Sequence, residues 1–302
     1  MQQQAFTGEH KMLKGGLHCH TTRSDGAGTP EQVIARHVEL GYDFLALTDH
    51  RYYNFKNFTD LPITIVPGME IDKNIEGGGQ VHCFHTVCIG PVEGNGYVQD
   101  ERVESGMVKD QFEFQQYVDA AHAHNNLTIY CHPEWSATPA NEFKHIKGNF
   151  AMEIWNSGCA LENHLDTNAA YWDEILYEGQ QLYGVATDDG HPMEHHGCGW
   201  VMVNAENNVP AILQALKDGK FYATTGPEIY DFRYEDGVAK IECSPVSCVE
   251  FISWRMPSHV VNGENLTSAE TRLPVDRIRY IRASVIDANG HRAWTNPIFL
   301  DK

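Results

Sequence analysis

Long apolar segments are missing from this 302-residue chain, and their absence excludes two classes of protein. No uninterrupted apolar run approaches the roughly 20 residues that span a bilayer, so a membrane-spanning helix is not expected. Residues 1–6 contain neither a basic nor an apolar segment, so the usual secretion signal is not expected either. We therefore expect a cytoplasmic protein with no membrane partner.

Basic residues are also scarce. The chain has 22 Lys and Arg against 41 Asp and Glu, which gives a formal net charge of −19. Proteins that bind nucleic acids normally carry a basic surface, so we expect no nucleic-acid polymer as a partner. Bound divalent cations would offset this charge locally and attract a small anion. A small phosphorylated metabolite therefore stays compatible with the composition.

The eight cysteines form no C-x-x-C pair and have no regular spacing. Cys19, Cys88 and Cys131 fall inside segments with the composition of buried strands. In a chain of this length without a spaced cysteine framework, free thiols in the core are favoured over disulfides.

Short apolar segments alternate with amphipathic ones through the first two-thirds of the chain, which predicts a parallel α/β sheet. The clearest helix start is at Thr29, an N-cap that Gln32 completes as a capping box, and Gly41 would end that helix. Further helices are predicted at residues 110–125, 161–178 and 210–217. Strands are predicted at residues 15–20, 43–47, 63–66, 127–130, 151–155 and 182–186.

The pattern changes after residue 226. Short β-type segments at 239–243, 249–254 and 279–286 are separated by Asp-Gly and Asn-Gly pairs at 236–237, 262–263 and 289–290. Such pairs are typical of hairpin turns. We therefore predict two domains, residues 1–226 and a small antiparallel β unit over residues 227–302.

Candidate metal ligands fall where successive predicted strands end. His18 and His20 are two positions apart on a strand, so both imidazoles project from one face and suit one cation. Asp49, beside His50, would orient that imidazole. The remaining candidates are Asp25 in a Ser-Asp-Gly turn, His50, Glu70, His82 or His85, His132, Asp188 or Asp189, and His191. Their convergence at strand ends predicts a polynuclear metal site, and therefore an enzyme.

The spacing of the residues does not decide between the two candidate ligands in each of two pairs. His82 and His85 are an odd number of positions apart, so only one should face inward, and the apolar segment after His85 favours that residue. At the last strand end Asp189 forms a D-x-H pair with His191, and Asp188 is the competing carboxylate.

Three residues are candidates for substrate binding. Arg23 lies in the loop before Asp25 and would neutralise a phosphate, although a solvated arginine fits that position equally well. Asn156 and His164 follow a predicted strand and would orient the substrate or protonate a leaving group. The Glu194-His195-His196 segment is either an extra donor near the metals or an exposed loop.

Seven sequence elements follow one another over roughly residues 14–226: H-x-H, S-D-G, T-D-H, G-x-E, a central His, C-H-P and D-x-H. In this order they resemble the motifs of the PHP (polymerase and histidinol phosphatase) superfamily. The tail, with Cys243-Ser244-Pro245 and residues 293–297, is similar to the branch that includes carbaryl-type hydrolases. The resemblance implies a distorted (β/α)7 TIM-like barrel with up to three divalent metal ions.

The resemblance also implies how a trinuclear site would divide the ligands. One metal would take His18, His20, Glu70 and Asp189, a second Glu70, His85 and His132, and a third Asp25, His50 and His191. This mixture of nitrogen and oxygen ligands suits zinc, iron or manganese without choosing among them.

These observations predict a metal-dependent hydrolase of a small phosphate ester, either a phosphomonoester or a cyclic phosphodiester. A metal-bridging hydroxide, held through Glu70 and Asp189, would attack phosphorus in line. The tail motivates one alternative, a hydrolase of carboxyl esters, carbamates or amides that uses the same hydroxide. A non-catalytic metal-binding sensor is a further alternative, and the complete ligand set argues against it. The sequence specifies neither the substrate nor the oligomeric state.

Overall fold

The computed structural model describes residues 2–4, 10–77, 82–91, 96–165, 168–254, 257–274 and 278–300. Their helices are α1 (Pro30–Glu39), α2 (Gln111–Ala123), α3 (Ala140–Phe143), α4 (Ser157–Asn163), α5 (Asn168–Tyr177) and α6 (Val209–Lys217), with a 3-10 turn at Met193–His195. The first strands are β1 (Gln2–Gln4), β2 (Met12–Gly16), β3 (Phe44–Leu45), β4 (Thr64–Ile65), β5 (Gly68–Ile75), β6 (Cys83–Ile89), β7 (Met107–Val108), β8 (Leu127–Tyr130), β9 (Ala151–Asn156) and β10 (Tyr183–Thr187). The later strands are β11 (Trp200–Asn204), β12 (Phe221–Thr224), β13 (Ile229–Glu235), β14 (Val238–Ile252), β15 (Pro257–Arg272), β16 (Tyr280–Ile286), β17 (Arg292–Thr295) and β18 (Ile298–Phe299).

The strands form two sheets. A 12-stranded sheet has the order β1-β13-β14-β16-β17-β12-β11-β2-β3-β4, with β15 beside β14 and β18 beside β16. A 6-stranded sheet has the order β10-β9-β8-β6-β5-β7. Helices connect many of these strands, which confirms the predicted mixed α/β class.

The predicted wholly parallel sheet is wrong in two regions, of which one is β11, antiparallel to both β2 and β12. Strands β2, β3 and β4 pair in parallel, as do β8, β9 and β10. Strand β6 instead runs antiparallel to both of its neighbours, β5 and β8. The connection from β5 to β6, residues 76–82, is shorter than the roughly 12 residues that a parallel crossover needs, so this pair forms a hairpin.

Isolated bridges join the two sheets near the ends of their strands. Cys19, after β2, pairs in parallel with Gly190, after β10. His50, after β3, pairs in parallel with Glu70 of β5. The His20 amide also donates to the Gly190 carbonyl at 3.1 Å. The predicted ligand positions therefore lie where the two sheets meet.

Local sequence determines helix α1 as predicted. Thr29 is the N-cap, its side chain accepts from the Gln32 amide, and the Gln32 side chain accepts from the Thr29 amide at 2.9 Å. Gly41 follows the helix with φ of +77°, a conformation that glycine adopts without a steric penalty.

The single helix predicted over residues 161–178 is wrong. Helix α4 already begins at Ser157, where the Asn156 side chain accepts from the Cys159 amide. It stops because His164 adopts φ of +58°, and α5 then begins at Asn168. Residues 166–167 of the predicted helix lie outside the described residues.

Two of the three predicted hairpin turns are confirmed. Residues 236–237 connect β13 to β14, and residues 289–290 connect β16 to β17. The pair at 262–263 instead lies inside β15, where the register with β14 shifts between Val246 and Cys248. The predicted strands 239–243 and 249–254 are parts of one long strand, β14.

The tail packs closely on the first part of the chain, because its strands continue the 12-stranded sheet. Asn296 accepts from the Gly184 amide at 3.2 Å and donates to the Phe221 carbonyl at 3.0 Å. The buried guanidinium of Arg282 donates to Asp173 at 2.8 Å. The predicted domain boundary at residue 226 stays a prediction.

Buried apolar residues fill the space behind the strand ends. Leu17, Ala46, Val87 and Cys131 belong to one core cluster and are fully buried. All eight cysteines are free and six of them are buried, as the sequence predicts. None of the described helices has the length and apolar character needed to cross a membrane.

Candidate metal centre

The predicted ligands come together where the two sheets meet. Their donor atoms form overlapping groups within which all atoms lie inside 4.8 Å of one another. These groups include His20 with Asp25, His50 and His191; His18 with His20 and Asp189; and Glu70 with His85 and His132. We call these nine residues the nine-ligand cluster.

Four donor atoms of this cluster lie close together, and we call them the four-atom group. The His18 Nε2 atom lies 3.2 Å from His20 Nε2, 3.4 Å from Glu70 Oε2 and 3.2 Å from Asp189 Oδ1. The His20 Nε2 atom lies 3.3 Å from the same Glu70 oxygen and 3.1 Å from the same Asp189 oxygen. Tetrahedral ligands about 2.0–2.1 Å from a zinc ion are about 3.3 Å from one another. These five distances match that spacing, so each of the two imidazoles is able to share a cation with either carboxylate.

Unpartnered oxygens support the same conclusion. Glu70 Oε2 and Asp189 Oδ1 are buried, and neither has a hydrogen-bond partner among the described residues. An unsatisfied buried polar atom costs about 1–3 kcal/mol, and more when it is charged. A divalent cation between the two oxygens would remove that cost, so the donor set fits a metal ion.

The two oxygens of Glu70 face different groups of ligands. While Oε2 faces His18 and His20, Oε1 lies 2.8 Å from His85 Nδ1 and 3.4 Å from His132 Nε2. A carboxylate placed in this way is able to contact two cations at once.

A third group lies nearer to solvent. Asp25 Oδ1 lies 3.4 Å from His191 Nε2, and Asp25 Oδ2 lies 3.7 Å from His50 Nε2. The Asp25 side chain is 56% exposed, whereas that of Glu70 is 1% exposed. This group is therefore the part of the cluster that solvent reaches most easily.

Opposite charges in the cluster stabilise one another. Burial favours the neutral form of Glu70, yet His50 and His18 hold the pKa of its carboxyl well below the usual range. Asp189 behaves in the same way beside His18 and His20. The two carboxylates in turn raise the pKa of His18 and of His20 in spite of burial. The raised pKa values favour the protonated forms of His18 and His20 in the cation-free protein, and a cation must displace those protons.

The open choice between His82 and His85 has a clear geometric outcome. The His85 ring is in the cluster, beside Glu70. The His82 Nε2 atom lies 2.9 Å from Glu142 Oε2, outside the cluster.

Asp188 and Asp189 also point to different surroundings. Asp189 lies beside His18 and His20 in the four-atom group, with φ of +46°. Asp188 accepts from the backbone amides of Gly197 at 2.6 Å and of Cys198 and Gly199 at 2.8 Å. The left-handed backbone at Asp189 is unusual for a residue other than glycine, and such strain is often found at functional sites.

Glu153, which the sequence analysis missed, orients two of the ligands. Its Oε1 atom lies 2.7 Å from His18 Nδ1, and its Oε2 atom accepts from the His132 amide at 2.9 Å. Thr187 and Asn156 donate to it at 2.6 Å and 2.8 Å. The sequence contains one indication of this role, because Glu153 is a glutamate in the middle of an apolar strand, where a buried charge requires partners.

The expected role of Asp49 is wrong. Asp49 accepts from the Thr21 amide and the Ser24 hydroxyl, both at 2.8 Å, so it holds the loop after the His pair. His50 is oriented instead by Asp72, whose Oδ1 atom lies 3.1 Å from the His50 Nδ1 atom. Asp72 is distant in sequence from His50, so no local motif indicates this contact.

A cavity of about 470 Å³ opens beside the cluster, a size typical of small-molecule sites. Apart from the cluster it is lined by Ala27, Trp135, Gly158, Cys159, Glu162, Asn163 and Pro192. Among the described residues, the lining contains no Lys or Arg.

None of the three predicted substrate-binding residues lines this cavity. Arg23 is paired with Asp100 and donates to Asn54 at 3.2 Å. Asn156 donates to Asp189 Oδ2 at 3.0 Å, so it positions a ligand. His164 is the C-cap of α4. Their role in substrate binding stays a prediction without geometric support.

Solved structures with a similar fold carry related descriptions. A two-domain protein from Bacteroides vulgatus, containing a predicted PHP-like metal-dependent phosphoesterase, matches with a TM-score of 0.50 and 16% identity over 95% of each chain. An amidohydrolase from Chromobacterium violaceum matches with a TM-score of 0.43 and 16% identity over 59% of this chain and 87% of that one.

Sequence comparisons identify the family. A 5′-3′ exoribonuclease of Haemophilus influenzae is 35% identical over 71 residues, which are 22% of this chain and 26% of that protein. The chain therefore spans about a quarter of this relative. The family model of the PHP domain matches residues 16–166, half of the chain and most of the ligand positions. The chain belongs to the PHP domain family.

Proposed function

We propose that this PHP-family enzyme is a metal-dependent hydrolase of small phosphate esters, either phosphomonoesters or cyclic phosphodiesters. The observation that carries the proposal is the four-atom group of His18, His20, Glu70 and Asp189, with its two unpartnered carboxylate oxygens. Bound divalent cations would supply a water of lowered pKa and positive charge for the phosphoryl oxygens.

The arrangement of donors supports up to three cations. His18, His20, Glu70 and Asp189 would hold the first, Glu70, His85 and His132 the second, and Asp25, His50 and His191 the third. Zinc, iron and manganese all suit this mixture of imidazoles and carboxylates. In this proposal Glu70 is the shared ligand of the first two cations, because its two oxygens face different imidazoles.

The cavity supports a small phosphorylated substrate. With no Lys or Arg among its described lining residues, the charge of a phosphate would be balanced by the cations and imidazoles. The ring of Trp135 lies 5.8 Å from the His85 ring and 5.1 Å from the His132 ring, so it offers a flat apolar wall for the organic part of the ester.

The exoribonuclease relative supports phosphate ester chemistry, since an exoribonuclease cleaves phosphodiester bonds. A polymer is disfavoured as the substrate here because the net charge is −19. We therefore propose a small phosphorylated metabolite as the substrate and no nucleic-acid polymer as a partner.

We also propose that the two sheets close into the distorted seven-stranded barrel that the resemblance implies. Strands β2, β3, β5, β6, β8, β9 and β10 would form the ring, and the isolated bridges Cys19–Gly190 and His50–Glu70 would close it. Residues 227–302 would form the small β-rich domain beside this barrel.

The test is hydrolysis of a substrate panel by the metal-supplemented protein and by the same protein after chelation. The panel contains phosphomonoesters, cyclic phosphodiesters and carboxyl esters. We expect phosphate ester turnover that chelation abolishes and added metal restores. Carboxyl ester turnover without phosphate ester turnover would overturn the proposal, and so would a metal-replete protein inert on the whole panel.

A further inference from the structure

A second cluster of metal-ligating side chains lies outside the nine-ligand cluster. It consists of His37 on α1, Asp188 after β10 and His196 after the 3-10 turn, and we call it the second cluster. These residues are 0%, 2% and 2% exposed, and their donor atoms lie within 4.8 Å of one another. Three separate elements thus bring two imidazoles and a carboxylate together in the interior.

His37 presents a free lone pair to this cluster. Its Nδ1 atom lies 2.8 Å from the Val33 carbonyl oxygen, which only accepts, so Nδ1 carries the proton. In the neutral ring the Nε2 atom is then an acceptor, and it has no hydrogen-bond partner in the described part of the chain. An imidazole fixed through one nitrogen by a backbone carbonyl has the orientation typical of a metal ligand.

His196 has unsatisfied nitrogens on both sides of its ring. Both atoms are buried, and neither has a hydrogen-bond partner within the described ranges. The ring centre lies 5.0 Å from that of His37. His196 therefore lies beside His37 with a nitrogen on each side of its ring that is able to bind a cation.

Asp188 supplies the negative charge. Its Oδ1 atom accepts two backbone amides and its Oδ2 atom accepts one, from Gly197. A carboxylate oxygen has two lone pairs, so Oδ2 retains one acceptor position. This oxygen lies 3.7 Å from His37 Nε2, a separation that two ligands of one cation adopt when the angle between them is wide.

We propose that His37 Nε2, a ring nitrogen of His196 and Asp188 Oδ2 bind a divalent cation, zinc in preference, at a site separate from the nine-ligand cluster. Two imidazoles and a carboxylate are a common zinc ligand set. The cation would satisfy the buried nitrogens and fasten α1 to the segment that carries Asp189 and His191. The site is buried among protein atoms, so its role is structural.

Anomalous diffraction tests this site directly in the wild-type protein. Crystals of the full chain grown with zinc are measured above and below the zinc absorption edge. We expect a peak between the His37 and His196 rings, in addition to any peaks at the nine-ligand cluster. An ordered water in place of the peak, in crystals whose nine-ligand cluster is loaded, would overturn the proposal.

Zinc content in solution gives an independent test. We expect His196→Asn and His37→Gln each to bind one zinc ion fewer per chain than the wild type after dialysis. His195→Asn is the matched control, because it makes the same change one position away and should keep the wild-type count. Equal zinc content in all four proteins would overturn the proposal.

This result is independent of the proposed function. An enzyme inactive on the substrate panel would still lose one zinc ion in His196→Asn if the second cluster binds metal. Active enzyme with no peak at the second cluster would reject this site alone. Should both variants fail to fold, the wild-type diffraction experiment decides the question.

Discussion

The nine-ligand cluster and the second cluster are built from the same residue types, but they differ in access. Asp25 and His191 of the first cluster line a cavity of about 470 Å³. His37 and His196 of the second are at most 2% exposed. Both clusters contain buried polar atoms without hydrogen-bond partners among the described residues. The two proposed metal sites therefore rest on the same donor chemistry, and access to a cavity separates the proposed catalytic site from the proposed structural one.

The largest effect is expected from Glu70→Gln. The amide replaces a carboxylate of which one oxygen faces His20 and the other faces His85, so cations would be held less tightly. We expect kcat/KM for a phosphate ester to fall on the order of 10³-fold, by analogy with other lost charge-stabilising groups. Initial rates of phosphate ester hydrolysis at saturating metal measure the change in kcat/KM. Glu39→Gln on the surface of α1 is the control, and comparable activity in both variants would contradict the prediction.

Glu153→Gln should have a smaller effect, because Glu153 orients ligands without facing the cations. Its contacts with His18 and the His132 amide would be weakened. Loss of such an orienting group typically costs about 10–100-fold in metal affinity or activity. Metal titration with a competing chelator measures the affinity. An unchanged affinity in a folded variant would show that Glu153 is dispensable.

The two clusters should respond differently to pH. Raised pKa values mean that His18 and His20 hold protons until the pH rises above those values, and a protonated imidazole does not bind a cation. Affinity at the nine-ligand cluster should thus fall as the pH falls, about tenfold per pH unit for each proton displaced. The pKa of His196 is lowered to about 3, so this residue adds no such dependence between pH 5 and 8. Calorimetry in buffers of different ionisation enthalpy counts the released protons, and a count of zero at pH 6 would contradict the prediction.

Zinc should stabilise the wild type more than His196→Asn. A ligand present at about 100 times its Kd adds about 2.7 kcal/mol to the free energy of unfolding. The variant lacks this contribution from the second cluster, so its rise in Tm on zinc addition should be smaller by a few degrees. Thermal melts with and without zinc measure the difference, with His195→Asn as the control. Equal rises in all three proteins would argue against a stabilising cation there.

The smallest effect is expected from Arg23→Gln, which lies outside both clusters. Arg23 pairs with Asp100, whose side chain is 60% exposed, and exposed ion pairs contribute about 0–1 kcal/mol. We expect KM for the phosphate ester to change by less than about threefold, since such a pair affects mainly local stability. A rise in KM of tenfold or more would restore the phosphate-binding role that the sequence suggests.

The sequence predicts what local chemistry determines. The capping box at Thr29 and the turn at residues 236–237 are each specified by neighbouring residues, and each has the expected local form. The prediction that His18 and His20 lie on a strand is wrong, because β2 ends at Gly16. Seven of the nine ligands follow strands that pair in parallel, whose ends meet at one edge. Glu70 and His85 instead lie inside β5 and β6, which pair antiparallel.

Features that depend on distant contacts were not predictable. Glu153 reaches His18 across 135 positions, and Asp72 reaches His50 across 22, so no motif joins either pair. The antiparallel strand β6 follows from a short connection whose direction an alternating pattern does not specify. The second cluster likewise joins α1 to a segment about 150 positions later. From the sequence alone, His196 was either an extra donor near the metals or part of an exposed loop.

Metal content measured together with phosphate release tests the central claim most directly. We predict that the folded, metal-supplemented wild type contains more than one divalent cation per chain. We also predict that phosphate ester turnover disappears on chelation and returns with added metal. Fewer than one cation per chain in such a preparation, or turnover that chelation leaves unchanged, would contradict the account.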